Sequence, residues 1–459
     1  MLYSTPLPYR ADAGAYFSVI RDLAWAAWLD SGGGGRYDIL VAGPVARVLT
    51  RGGITEISDA SSVRQQSGDP FEVVRELLGE PILPMADIPF AGGALGYWGY
   101  DLARRYARIP DSTNDTEHLP EMAVGIYDWS IIIDHQELSA RLVSRLRYAG
   151  TAQVLVQVLS RLQAAPAARQ QVEPLCVQGE IVSNFTPATY RSAFETVQKY
   201  LHEGDCYQVN LAQRYSVAAT GDAYQAYLEL RSISPAPYSA FLDWPQAQIL
   251  CASPERFLRV QHGEVQTRPI KGTRPRSADA AEDARLAEDL RRHPKDRAEN
   301  LMIVDLLRND LGKSCEPGSV QTTRMFEVES YANVHHLVST IEGKLHSGKS
   351  ALDLLRDCFP GGSITGAPKQ RAMEIIEQLE PDRRGLYCGA IGYIGHDGDM
   401  DTNIVIRTLV YSGGDIRCWA GGGIVADSTC EAEYQETRDK ASAMLELLRR
   451  FGGRSGNGG

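Results

Sequence analysis

The sequence of 459 residues predicts an α+β fold on three observations. Helical and strand periodicities alternate from residue 1 to about 145, short apolar strands flank a glycine turn at His262-Gly263, and strand patterns between Tyr387 and Val425 lead into an amphipathic helix. A hydrophobic content of 43% suits a globular core, in two domains or one composite. No stretch approaches the ~20 apolar residues of a membrane span. Met1-Leu2-Tyr3-Ser4-Thr5-Pro6 lacks the basic and apolar segments of a secretory leader, so a cytoplasmic address is expected. The eight dispersed cysteines form no Cys-x-x-Cys pair, which predicts reduced thiols without disulfides or structural zinc. A net charge of -11 argues against nucleic acid and anionic membranes as partners. An anionic small substrate would need a locally positive pocket.

In chain order, Ala15 to Leu29 reads as helix, Tyr37 to Ala42 and Val45 to Thr50 as strands, and Phe71 to Leu78 as helix. The glycines and aromatics of Gly92 to Asp101 fit close packing in a strand better than a cofactor loop. Thr151 to Leu162 reads as helix, and the Ala/Gln-rich stretch from Ala164 to Gln171 marks a boundary between an N-terminal region 1–165 and a C-terminal region 180–450. Thr186 caps a helix from Pro187 to His202. Residues 452–459 are Gly-rich and read as a disordered tail.

The stretch from Cys251 to Asp310 concentrates the chemistry. Ile249 to Ala252 and Val265 to Thr267 read as strands of a hairpin, with Glu255 and Lys271 near its ends. Pro269 restricts and Gly272 frees the backbone on either side of Lys271, which fixes an amine in place. The helix after Pro294 is apolar nearly all round and should be buried, so Glu299 within it needs a partner: Arg297, another base or a metal. Ser428-Thr429-Cys430-Glu431 reads as a capping box for a helix carrying Glu433, Glu436 and Lys440 on one face, where Glu436 and Lys440 could form an ordinary i,i+4 ion pair.

These segments carry a resemblance. Ala252-Ser253-Pro254-Glu255-Arg256-Phe257, Pro269-Ile270-Lys271-Gly272-Thr273, Asp305 to Leu311, Gly204-Asp205-Cys206-Tyr207-Gln208-Val209-Asn210 and Gly366-Ala367-Pro368-Lys369 resemble the chorismate-utilising enzymes. The resemblance spans most of the chain and implies an α/β sandwich whose large antiparallel sheets draw strands from both halves and are covered by helices. It also implies that Glu299 and Glu436 bind Mg2+, that Arg407 and Lys440 contact a substrate carboxylate, and that Gly421, Gly422 and Gly423 let backbone approach the ligand. Thr273, His336, Gly366 and Tyr393 are further substrate contacts on the same grounds. Arg308 and Asp310 read as braces.

Lys271 resembles the branch that turns chorismate and ammonia into 4-amino-4-deoxychorismate, on the route to p-aminobenzoate and folate. There Lys271 would be the nucleophile and Glu255 the general acid. A free lysine is only about 0.04% neutral at pH 7, so Lys271 needs a lowered pKa or a proton acceptor. The lysine argues against the anthranilate-forming branch and less strongly against the isochorismate- and salicylate-forming ones. A silent chorismate-binding protein is the rival from another class. No Gly-x-Cys-x-Gly nucleophile turn is present, so ammonia is expected from a separate glutamine amidotransferase subunit. Ser31, Pro237 and Tyr238 resemble parts of the tryptophan site found in some relatives.

Overall fold

The computed structural model describes residues 2–85, 87–164, 173–331 and 333–452. Two antiparallel sheets of 12 strands each, among the described residues, pack face to face. In the first sheet the order runs from Tyr3–Leu7 through Ser139–Ser144, Trp129–Asp134, Tyr37–Val41, Ala26–Asp30, Tyr238–Trp244, Ala247–Ser253, Thr408–Ser412, Asp415–Ile424 and Gln208–Thr220 to Cys176–Ser183. The second runs from Ile270–Pro275 through Val334–Lys344, Glu264–Thr267, Arg256–Gln261, Met400–Asn403, Ala390–Gly395, Gly93–Trp98, Met122–Tyr127, Ala46–Arg51 and Ile54–Asp59 to Val63–Ser67. Both sheets mix strands from the two sequence regions. Most of the stretch from Ala164 to Gln171, and the tail beyond Gly452, lie outside the described residues; Gly452 itself bridges to Val177.

Three apolar layers follow from this arrangement. Trp25, Ile39, Leu95, Tyr97, Ile249 and Ile391 fill the space between the sheets. Phe17, Trp28, Tyr227, Phe241 and Met444 cover the outer face of the first sheet, where helices Gly14–Ile20, Tyr224–Ile233 and Cys430–Arg450 lie. Phe71, Leu258, Ile303, Leu307 and Leu355 do the same for the second, beneath Pro70–Leu78, Pro294–Gly312 and Ala351–Cys358. The aromatic segment Gly93–Trp98 is fully buried, and next to it Asp101 accepts from Gly385 N at 2.8 Å.

Several local expectations yield to tertiary pairing. The predicted helix from Ala15 stops at Ile20, because Ala26–Asp30 is claimed by strands on both sides, Tyr37–Val41 and Tyr238–Trp244. The predicted hairpin is also redrawn. Ala247–Ser253 belongs to the first sheet, whereas Arg256–Gln261 and Glu264–Thr267 form the hairpin around His262-Gly263 in the second. The helix Pro294–Gly312 is buried on one side only, with Ile303 and Leu307 inside and Leu301 46% exposed. The capping box does not form, because the Ser428 hydroxyl is drawn to Glu433 Oε1 at 2.6 Å and Glu431 pairs with Arg191 at 2.7 Å.

Two crossovers between the sheets run side by side. The chain leaves the first sheet after Ser253 to enter the second at Arg256, and returns from Asn403 to Thr408. Ile404 N donates to Glu255 O at 3.0 Å and Ala252 N to Arg407 O at 3.1 Å. The buried Ser253 hydroxyl donates to Ile404 O at 2.6 Å. Ser253→Ala removes this donor together with the acceptor of Glu255 N at 3.3 Å, so urea unfolding should show a loss of about 1–3 kcal/mol.

Candidate active site

Glu255 and Arg407, one from each crossover, open onto a cavity of about 620 Å³. Arg407 occupies the left-handed region at φ 53, which interrupts the apolar strand pattern and turns its side chain out of the sheet. Its Nη1 donates to Lys440 O, so the crossover is docked on the helix Cys430–Arg450. Glu255 is 6% exposed and accepts from the Ser363 hydroxyl at 2.8 Å through Oε1. Burial pushes its carboxyl above the usual range, against the lowering effect of Ser363 and Lys271.

Lys271 reaches the same cavity through a bulge. Ile270–Pro275 slips register against Val334–Lys344 between Ile270 and Thr273, and Gly272 takes φ 78. A Cβ on Gly272 would stand 2.8 Å from the side chains of Asp296 and Leu290, so glycine is required there. Lys271 Nζ donates to Ser363 O at 3.3 Å. Burial and then the charge of Lys440 push the amine below its ordinary range, against the opposing pull of Glu299, Glu255 and Glu436. Thr273 and His336 follow on the paired strands, with Thr273 Oγ1 and His336 Nδ1 3.0 Å apart. Burial and then Arg407 push His336 down to about 4, so its ring is neutral at neutral pH.

The opposite wall is acidic. Glu299 comes from the helix Pro294–Gly312, and Glu433, Glu436 and Lys440 from the helix Cys430–Arg450. Arg297 is not the partner of Glu299: it lies over the Phe326 ring, and Lys295 Nζ stands 3.8 Å from Glu299 instead. Burial raises the Glu299 carboxyl and the Glu433 carboxyl. Burial also raises Glu436, but its ion pair with Lys440 at 2.6 Å wins and leaves it below the usual range. Lys440 Nζ donates as well to Gly421 O at 3.2 Å. Glu433 Oε2 is buried without a hydrogen-bond partner, and both it and Glu436 Oε1 approach Gly422.

An oxygen-only set with an orphaned carboxylate oxygen fits Mg2+, which takes oxygen ligands in octahedral geometry and keeps several waters. Among the described residues no three metal-ligating side chains form a closed cluster.

Not every expected contact faces this space. Gly421 and Gly423 line the cavity, whereas Gly422 backs onto Glu433. Gly366 lies outside it, at φ +145 in a two-residue strand on Gln208, where a Cβ would meet Gln208 O at 2.1 Å. Lys369, from the same loop, spends its amine on Asp310 at 2.6 Å and on Cys358 O. Tyr393 stands in another cavity of about 430 Å³, together with Ser31, Pro237 and Tyr238, because its strand sends that side chain toward Phe90. Ser363, Glu433, Asn210 and Trp419 also line the main cavity, although none of them was expected as a site residue. Glu433 had a signal in its spacing from Glu436, and Ser363 lay within a Gly-rich loop. Trp419 had none. It donates to buried Glu117 at 3.2 Å, a contact 302 positions away in sequence.

A cavity with a depressed lysine, a raised glutamic acid, the two further cations Arg407 and Lys440 and a carboxylate wall suits an enzyme acting on a small anion. The chain matches the chorismate binding enzyme family over residues 26–446 and belongs to it. It is 47% identical to aminodeoxychorismate synthase component 1 of Klebsiella aerogenes, over 96% of this chain and 98% of that one. With the protein of the same name from Escherichia coli it shares 48% identity over 96% and 97% of the two chains. Anthranilate synthase component I from Streptococcus pneumoniae superposes with a TM-score of 0.80 at 34% identity, covering 90% of this chain and 92% of that one. The fold extends to the menaquinone-specific isochorismate synthase of Escherichia coli, at a TM-score of 0.70, 18% identity and coverage of 98% and 94%.

Because Lys440 repels a proton on Lys271 and also neutralises Glu436, Lys440→Met should raise the Lys271 pKa on both counts. The pH at which Lys271 becomes reactive toward an amine reagent, followed by peptide mass spectrometry, should move upward.

Proposed function

We propose that this chain aminates chorismate with ammonia to give 4-amino-4-deoxychorismate, as the synthase subunit of a glutamine-dependent pair on the way to p-aminobenzoate and folate. The observation that carries this reading is that Lys271 and Glu255 meet at Ser363, one with lowered and the other with raised proton affinity. An amine that is more often neutral is a better nucleophile, and a carboxyl that stays protonated can act as an acid near neutral pH.

In this reading the Lys271 amine forms a bond to ring C2, the ring double bonds shift, and the C4–oxygen bond breaks. The oxygen takes the proton of Glu255 and leaves as water. Ammonia then adds at C4, the double bonds shift back, and the C2–nitrogen bond breaks to return the Lys271 amine. The proton brought in on nitrogen passes to the Glu255 carboxylate, which restores the acid. Arg407 and Lys440 would hold substrate carboxylate, the guanidinium through paired hydrogen bonds. Glu299 and Glu436 would hold Mg2+, whose charge, when bound, would neutralise a substrate carboxylate. Tryptophan is the ligand assigned to the second cavity, supported by the gathering of Ser31, Pro237 and Tyr238 there.

Purified protein with chorismate, Mg2+ and ammonium should yield aminodeoxychorismate, identified by chromatography and mass spectrometry. Lys271→Ala should lose that product by at least about 100-fold. Anthranilate, isochorismate or salicylate from the parent would overturn the reading. Glu299→Gln and Glu436→Gln should each weaken Mg2+ binding measured by calorimetry without substrate.

A further inference from the structure

Ser363 touches both groups that the proposed reaction depends on. It sits in the short turn Gly362–Ile364, 7% exposed, between the two sheets' contributions to the cavity. Its hydroxyl donates to Glu255 Oε1 at 2.8 Å, and its carbonyl accepts from Lys271 Nζ at 3.3 Å. The turn is held from behind. The buried Arg384, paired with Glu380 at 2.6 Å, donates to Ile364 O at 3.0 Å and to Asn210 O at 2.8 Å. Thr365 Oγ1 closes the turn on Gly361 O at 3.0 Å, and a Cβ on Gly362 would strike Leu306 at 2.5 Å. The backbone that carries the Ser363 carbonyl and side chain is therefore held by groups that take no part in the chemistry.

We infer that Ser363 is a positioning residue, which sets where the Glu255 proton resides and where the Lys271 lone pair points. The unprotonated carboxyl oxygen is the better acceptor, so the hydroxyl's donation to Oε1 favours Oε2 as the oxygen that carries the acidic proton. An amine that gives one N–H to a fixed carbonyl has its remaining valences turned away from that carbonyl. One residue thus orients acid and nucleophile relative to each other, which is where small displacements cost most in rate. A serine that only filled space or satisfied a buried carboxylate would matter for folding but not for the proton's location.

This inference rests on Glu255 acting as acid and Lys271 as nucleophile. The test is the pH profile of kcat and the chorismate KM for Ser363→Ala, Ser363→Thr and Ser363→Cys beside the parent. In Ser363→Ala, kcat should fall about 10-fold or more while KM changes by less than about 2-fold, the pattern of a lost transition-state contact. The limb that follows the Glu255 carboxyl should move to higher pH, because the hydroxyl favours the carboxylate form. The limb that follows Lys271 should stay, because the backbone carbonyl remains. Threonine should restore both rate and limb, and cysteine, a weaker donor, should fall between. A raised KM with unchanged kcat, both limbs moving together, or no rescue by threonine would overturn the inference. If Ser363→Ala does not fold, the threonine and cysteine variants alone decide, and equal kcat in the two would overturn it. A parent that makes anthranilate or isochorismate would instead remove the reaction on which it rests.

Discussion

The active geometry depends on a pair of crossovers that bond to each other as they pass between the sheets. Strands that continued straight would keep Glu255 and Arg407 in separate sheets, with side chains committed to one face or the other. By leaving at Ser253 and returning through Arg407, the chain brings both into one gap. The hydrogen bonds between 252–255 and 404–407 satisfy backbone groups that neither sheet can reach there. The left-handed backbone of Arg407 is the local strain this requires, borne by a residue whose side chain is then free to face the cavity.

Charge inside the cavity is the second constraint. The chain is acidic overall, yet Lys271, Lys295, Arg407 and Lys440 meet Glu255, Glu299, Glu433 and Glu436 around one space. Burial penalises the charged forms of Lys271, Arg407, Glu255, Glu299, Glu433 and Glu436, and neighbouring charges then add to or oppose that push. Lys440 shows this most directly, lowering both Glu436 and Lys271. Among the described residues the N-terminal region supports this cavity from behind, through Glu117 beneath Trp419 and Tyr100 beneath Arg384.

Much of the site could be read in sequence because its residues sit in short segments with strong local constraints. Gly272 beside Lys271 is a backbone requirement, and the Glu433, Glu436 and Lys440 face follows from helical spacing. Misreadings fell where partners come from far along the chain. Ala26–Asp30 looked helical but lies between two strands, one of them more than 200 residues away, and Tyr393 went to the second cavity with the face its strand pairing imposes. Ser428 and Glu431 have the spacing of a capping box, but Glu433 and Arg191 offered them better partners.

The sequence by itself determined the α+β class, the family and the two helices that bear carboxylates, and it singled out Lys271 and Glu255, since each rests on residues close together in the chain. Only the tertiary structure decided that Ser363 lies between Lys271 and Glu255, that Glu433 is left with an orphaned oxygen, and that Gly366 and Tyr393 stand apart from the main cavity. Those facts depend on which face of a strand meets which partner. A strand's side chains alternate faces with a period of two, so its register, set by distant pairing, decides where each one points.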